Sequence, residues 1–211
     1  RKFKDKKSVY VRYGAKERLQ AFEEKYETFI VEIKFWKGSQ IFAMQKRIII
    51  DAMGGDNAPL EILKGTYLAQ KEYGIAPVLV GNDKEIQKCI KDNNIALENV
   101  KIVNSNSVIT MHDDAKAVLK EKADSSMGIG FKLLNEGEGD AFVSAGNTGC
   151  VTVGSTLITK RIKGVKRPAI ASVMPSAKRP FLLMDCGANA ECRAEFLYQF
   201  GKMGSFICKK L

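Results

Sequence analysis

The chain has 211 residues, 45% hydrophobic and 27% charged, with eighteen glycines and five prolines; this is a globular composition with room for one large or two small domains, and it excludes a disordered chain or a collagen-like fibre. Basic residues outnumber acidic ones 34 to 24, a net charge of +10 that steers acidic partners inward without distinguishing nucleic acid, anionic lipid, phosphate metabolites or an acidic carrier protein. The longest apolar runs, such as Arg47-Ile48-Ile49-Ile50 and Phe181-Leu182-Leu183-Met184, fall far below the roughly 18 residues of a membrane helix, so no segment is expected to span a bilayer.

Residues 1–43 read apart from the rest. Strand-like alternation at Ser8–Tyr13 and Thr28–Trp36 brackets a charged stretch of helical character, Ala15–Lys25, and so short a piece cannot bury a core of its own. An extension over 1–43 is therefore expected to precede a domain over 44–211. In that domain the pattern predicts a strand at Arg47–Asp51, a glycine turn, a helix at Leu60–Glu72, a strand at Pro77–Gly81, a helix at Lys84–Asn93 and a strand at Val100–Val103. Helices are expected at Ala115–Lys122 and Ser126–Glu136, a strand at Ala141–Ser144, and a helix at Val151–Arg161. Strands at Ala169–Met174 and Phe181–Asp185 flank a Pro175–Pro180 turn, and Glu195–Leu211 closes the chain as a helix. Strands alternating with helices predict an α/β sheet with crossover helices.

Three predicted strands end in turns rich in glycine, asparagine and aspartate: Asp51–Asp56, Ser144–Gly149 and Asp185–Asn189. Ligands of open α/β sheets sit at the carboxyl ends of strands, so all three turns are candidates for one site. Glycine allows the backbone close to a ligand, and helix N-termini aim amides at it, which together suit phosphate or another anion. Asn147, Thr148 and Asn189 add hydrogen-bonding side chains. Each turn alone is equally what a tight strand-to-helix connection requires. Neither a dinucleotide fingerprint nor a Walker-type loop occurs at these turns, so a nucleotide is not the first expectation.

Asp51, Asp56 and Asp185 stand at the mouths of the turns, where a carboxylate repels phosphate unless it is protonated, tied to amides, or acting on a proton. Lys122, Ser125 and Ser126 offer a cation and two hydroxyls ahead of a helix, although helix capping by a serine or Asp124 accounts for them equally. His112, the only histidine, has no placed Ser or Cys partner and reads as a loop residue. The five cysteines are odd in number, lack a Cys-x-x-Cys pair and sit in apolar stretches, which suits free thiols in a reducing compartment. No metal-ligand spacing is present, and Arg1–Lys7 is followed by no apolar stretch of a signal peptide.

Read together, Asp51-Ala52-Met53-Gly54-Gly55-Asp56, Asp124-Ser125-Ser126-Met127, Ser144-Ala145-Gly146-Asn147-Thr148-Gly149 and Asp185-Cys186-Gly187-Ala188-Asn189 resemble the motifs of the bacterial phosphate acyltransferase family PlsX, in the family's order, over Met44–Leu211. The resemblance implies a doubly wound α/β/α sandwich, Rossmann-like, of the isocitrate and isopropylmalate dehydrogenase-like group, with this chain carrying the N-terminal half. It implies transfer of a long-chain fatty acyl group from acyl carrier protein to inorganic phosphate, giving acyl phosphate for phospholipid synthesis. No cofactor, metal or nucleic acid is implied. A homodimer at full length and a cytoplasmic place, with peripheral contact at the inner face of the membrane, come with the family.

By the same resemblance Asn147, Asp185 and Asn189 are the catalytic candidates. Asp51, Gly54, Gly55, Asp56, Lys122, Ser125, Ser126, Ser144, Gly146, Thr148, Gly149 and Gly187 are the phosphate-binding candidates. Backbone amides with Asn147 or Asn189 would stabilise the oxyanion of the tetrahedral intermediate. The basic cluster Lys160–Arg167 suits the acidic carrier, and also suits a solvated helix end. The chain departs from the family at Lys120-Glu121-Lys122-Ala123, where a longer basic run is usual, and at Cys192-Arg193-Ala194-Glu195, where a proline is lost. Family members also continue into a second half with further glycine and lysine motifs. Two other readings are a fragment that binds phosphate or carrier without catalysis and a related phosphotransacetylase or dehydrogenase; the motifs disfavour the latter.

Overall fold

Three β-branched isoleucines in a row, Ile48-Ile49-Ile50, suit a strand covered on both faces. In the computed structural model, which describes residues 8–11 and 45–209, they form the centre of β2 (Arg47–Asp51). The helix expected at Ala15–Lys25 and the strand at Thr28–Trp36 lie outside the described residues. Of the strand expected at Ser8–Tyr13, Ser8–Val11 is seen as β1. The first unit continues with α1 (Leu60–Tyr73), β3 (Ala76–Gly81), α2 (Asp83–Asp92), β4 (Lys101–Asn104), α3 (Ser126–Glu136), β5 (Ala141–Ser144) and α4 (Thr148–Leu157). Its sheet has the order β1-β5-β2-β3-β4, and every pair is parallel.

The register sorts the strand residues onto two faces. Ile49 lies beside Val78 and Phe142, and this face packs against Met127, Phe131 and Leu134 of α3 and Cys150 and Val151 of α4. Ile50 lies beside Leu79, and the opposite face packs against Leu63 of α1 and Ile86 of α2. Helices thus cover both sides of a parallel sheet, the arrangement that near-continuous apolar strands require. Under α3 the rings of Phe131 and Phe142 lie 4.7 Å apart. A Cβ on Gly130 would come within 2.3 Å of the Phe142 ring, and one on Gly154 within 2.3 Å of the Phe131 ring. These two glycines let α3 and α4 approach the aromatic pair.

Two predicted helices are corrected. Ala115–Lys122 holds only a single 3-10 turn, Ala117–Leu119, because the chain folds back so that Lys122 reaches Asp113 and the carbonyl of Val108. The helix expected at Val151–Arg161 starts earlier, at Thr148, where Asn147 caps it, and ends at Leu157. Lys160 beyond it takes a left-handed φ of 68°, which no continuing helix permits.

The chain divides into two compact units between Lys160 and Arg161. Of the described residues, the second unit holds β6 (Ala171–Met174), β7 (Phe181–Met184) and α5 (Ala194–Cys208). β6 and β7 pair antiparallel, and Gly204 of α5 packs near Leu182 and Met184. Among the described residues, no helix is long and apolar enough to cross a membrane.

Candidate active site

β2 and β5 are neighbours in register, Ile50 beside Val143, so the turns that follow them start side by side at the carboxyl edge. Asp51 ends β2 and Ser144 ends β5; they are 2% and 1% exposed. Ser144 Oγ donates to Asp51 Oδ2 at 2.7 Å and accepts from the Gly146 amide at 3.0 Å. The Met53 amide donates to Asp51 Oδ1 at 3.2 Å, and the Ser126 hydroxyl and Gly54 amide also serve this carboxyl. Burial pushes the Asp51 pKa up, and the donors around it offset only part of that rise.

The glycines here are demanded by close approach. A Cβ on Gly54 would meet Asp51 Oδ2 at 2.5 Å and the Gly146 nitrogen at 3.0 Å. Gly55 has φ +101°, and a Cβ there would lie 3.2 Å from that of Ala145, so the two turns touch along their length.

Helices α3 and α4 begin at the same edge. Ser125, fully buried, caps α3 by accepting from the Gly128 amide at 3.1 Å. Asn147 Oδ1 caps α4 by accepting from the Cys150 amide at 3.1 Å. Its Nδ2 donates to the carbonyls of Thr110, Met111 and Asp113 at 3.1–3.3 Å. The loop 110–113 therefore hangs from Asn147. Lys122 pairs with Asp113 at 2.6 Å, and Asp113 also accepts from the amide and hydroxyl of Thr110. Lys122 foremost, with Thr110, holds the Asp113 carboxyl down at about 2. Thr148, the first residue of α4, has a buried hydroxyl with no hydrogen-bond partner.

The candidates thus fall into two sets. Asp51, Gly54, Ser125, Ser126, Ser144, Gly146 and Asn147 are buried and knit the turns together, and Lys122 is engaged with the 108–113 loop. Gly55, Thr148 and Gly149 are half-buried and Asp56 is exposed, so they form the open rim with Met53 and Ala145. Such a rim presents backbone amides and the positive end of α4, a setting for a small anion. His112 is exposed in the loop. Sequence reasoning passed over Asp113 and Thr110; the signal available was the Thr110-x-x-Asp113 spacing of a side-chain-closed turn.

The third turn belongs to the second unit and is organised by its own aspartate. Asp185 Oδ1 accepts from the amides of Ile170 and Ala188, and Oδ2 from the amide and side chain of Asn189. Asn189 Nδ2 also donates to Pro168 O at 2.8 Å. Partial burial pushes the Asp185 pKa up, but the Asn189 side chain and the three amides outweigh it, leaving it below the ordinary value. Gly187 takes φ +98° in open space.

A parallel sheet with helices on both faces, whose adjacent strands β2 and β5 end in touching glycine turns beside the start of α4, defines an α/β protein with its candidate site at the carboxyl edge. The family model described as "Fatty acid synthesis protein" matches residues 46–211, and the chain belongs to that family. Similar curated proteins are the phosphate acyltransferases of Thermoanaerobacterium thermosaccharolyticum, 42% identical over 78% of this chain and 48% of its own length, and of Dictyoglomus thermophilum, 45% identical over 78% and 49%. The chain spans about half the length of these relatives. Among solved structures it resembles a phosphotransacetylase from Streptococcus pyogenes, with TM-score 0.61 at 17% identity, covering 89% of this chain and 56% of that one. It also resembles the EutD phosphotransacetylase from Staphylococcus aureus, with TM-score 0.54 at 20% identity, covering 72% and 49%. At those identities the likeness concerns the fold.

Proposed function

We propose that the chain serves the transfer of a long-chain fatty acyl group from acyl carrier protein to inorganic phosphate. The observation that carries this reading is the pair of touching glycine turns on adjacent strands, with an open rim of amides at the start of α4. Phosphate seated on that rim presents one oxygen to the thioester carbonyl carbon. A C–O bond forms, the carbonyl oxygen carries the negative charge of the tetrahedral intermediate, and collapse breaks the C–S bond. The carrier thiolate leaves and takes up the proton that phosphate gives up, so acyl phosphate and a free thiol result. The protein's contribution is positioning and amide stabilisation of charge.

In this scheme Asn147 works through what it holds. Its amide caps α4 and suspends the 110–113 loop, so it keeps the rim amides in place. Asp185 and Asn189 organise the third turn within the second unit. The carrier's acidic surface is expected to meet basic residues such as those of Lys160–Arg167. The reading includes the finer fold group related to the isocitrate and isopropylmalate dehydrogenases, a domain from Met44 onward behind an extension, a homodimer at full length, and cytoplasmic action with peripheral membrane contact. The test is phosphate-dependent release of carrier thiol from palmitoyl-acyl carrier protein, with the acyl phosphate trapped by hydroxylamine. Thiol release that needs phosphate and yields hydroxamate supports the proposal; phosphate binding without thiol release leaves a binding module and overturns catalysis by this chain.

A further inference from the structure

Asp51 is the one buried carboxylate at the cradle, and the chemistry above does not use it. Being 2% exposed, it does not touch a ligand on the rim. Its neighbours are hydrogen-bond donors from three segments: the Met53 and Gly54 amides of the first turn, Ser144 at the end of β5, and Ser126 at the start of α3. Ser144 passes the contact on, since its oxygen accepts from the Gly146 amide of the second turn. Free space is missing at this point, because any Cβ on Gly54 would strike both Asp51 Oδ2 and the Gly146 nitrogen.

A buried carboxyl group whose two oxygens accept from donors of three segments ties those segments to one point. It does so before any ligand arrives. The Asp-Ser-Ser-Met segment and Ser144 are thereby occupied from within, and the half-buried rim at Gly55, Ala145 and Thr148 is the accessible part of the two turns.

We propose that Asp51 is a positioning residue: through Ser144 it couples the first glycine turn to the second and sets the spacing of the rim amides. This rests on the acyl-transfer reading only for what the rim holds; the coupling itself is a property of the fold. The test compares the unsubstituted chain with Asp51→Asn, nearly isosteric, and Ser144→Ala, which removes the relay and leaves the carboxylate. Amide hydrogen exchange and 15N–1H shifts are read at Met53, Gly54 and Gly146, and inorganic phosphate is titrated in parallel.

Ser144→Ala is expected to move the Met53 and Gly54 amides, on the turn that carries no substitution, and Asp51→Asn to speed exchange at Gly146. Both are expected to weaken phosphate binding about tenfold while the Phe131–Phe142 core keeps its shifts. Changes confined to 144–147 in Ser144→Ala, or unaltered phosphate affinity in both variants, overturn the proposal. If the unsubstituted chain binds no phosphate, the acyl-transfer reading of the rim fails, and the exchange data alone still decide whether Asp51 couples the turns. Should either variant lose the core shifts through unfolding, Ser126→Ala, which deletes a different donor to the same carboxylate, is used; unchanged Gly146 exchange there overturns the proposal.

Discussion

Two carboxyl groups around the touching turns are shifted in opposite directions. Asp113 titrates at about 2, against an ordinary 3.8, because Lys122 and Thr110 hold its charged form; the stabilisation this gives is present above the ordinary value and is lost as pH falls through the lower one. In acid unfolding the stability gap between the unsubstituted chain and Asp113→Asn is therefore expected to be constant from neutrality to about pH 4 and to close below it. A gap that persists to pH 2 contradicts this assignment. Asp51 acts in the reverse sense, since its folded pKa is raised and the folded state binds the proton more tightly. Its contribution to stability falls as pH climbs from the ordinary carboxylate range through the raised value, and Asp51→Asn removes that slope; equal slopes in thermal melts of both proteins contradict the placement. At Gly54, alanine is expected to cost about 1–3 kcal/mol through overpacking against Asp51 and Gly146, measured by denaturant unfolding.

At the level of elements, strand-turn-helix units were legible because their causes are local. The Ile48–Ile50 run, the glycines after Asp51 and Ser144 and the serine ahead of α3 each declare themselves within a few residues. What stayed hidden depends on distant partners. From sequence Asn147 suits a ligand-facing amide, yet its Nδ2 donates to carbonyls 34–37 residues back in the chain. Ala115–Lys122 has helical spacing, but the Lys122–Asp113 pair folds it into a tight loop. By sequence Ser125 suits a cap and a ligand equally, and in the fold it caps α3. Asn147→Ala is expected to lower stability by about 1–2 kcal/mol through loss of the α4 cap and to slow acyl-phosphate formation far more than that loss explains. Near-normal turnover in a folded Asn147→Ala protein removes it from the mechanism. Phe131→Ala, which removes the ring that α3 sets against Phe142 and Gly154, is expected to cost about 3–5 kcal/mol; a smaller loss in urea unfolding shows that α3 does not pack on the sheet and α4 through this ring.

For the whole molecule, the proposed acyl transfer gives the charge surplus and the touching turns different steps. A net +10 acts at range and is screened over roughly 8 Å at physiological ionic strength, whereas seating of phosphate on amides is short-range. Rising salt is therefore expected to raise the KM for an acidic carrier while leaving the phosphate dependence nearly unchanged, as steady-state kinetics at several ionic strengths would read. A parallel loss of both places carrier and phosphate on one electrostatic patch instead. A titration of the 15N-labelled chain with inorganic phosphate, followed at every assigned amide, tests directly whether the two turns seat phosphate. Saturable shifts concentrated at Gly55, Asp56, Ala145, Thr148 and Gly149 are predicted. Shifts that gather elsewhere, or none at millimolar phosphate, contradict the claim that the two touching turns form a phosphate cradle.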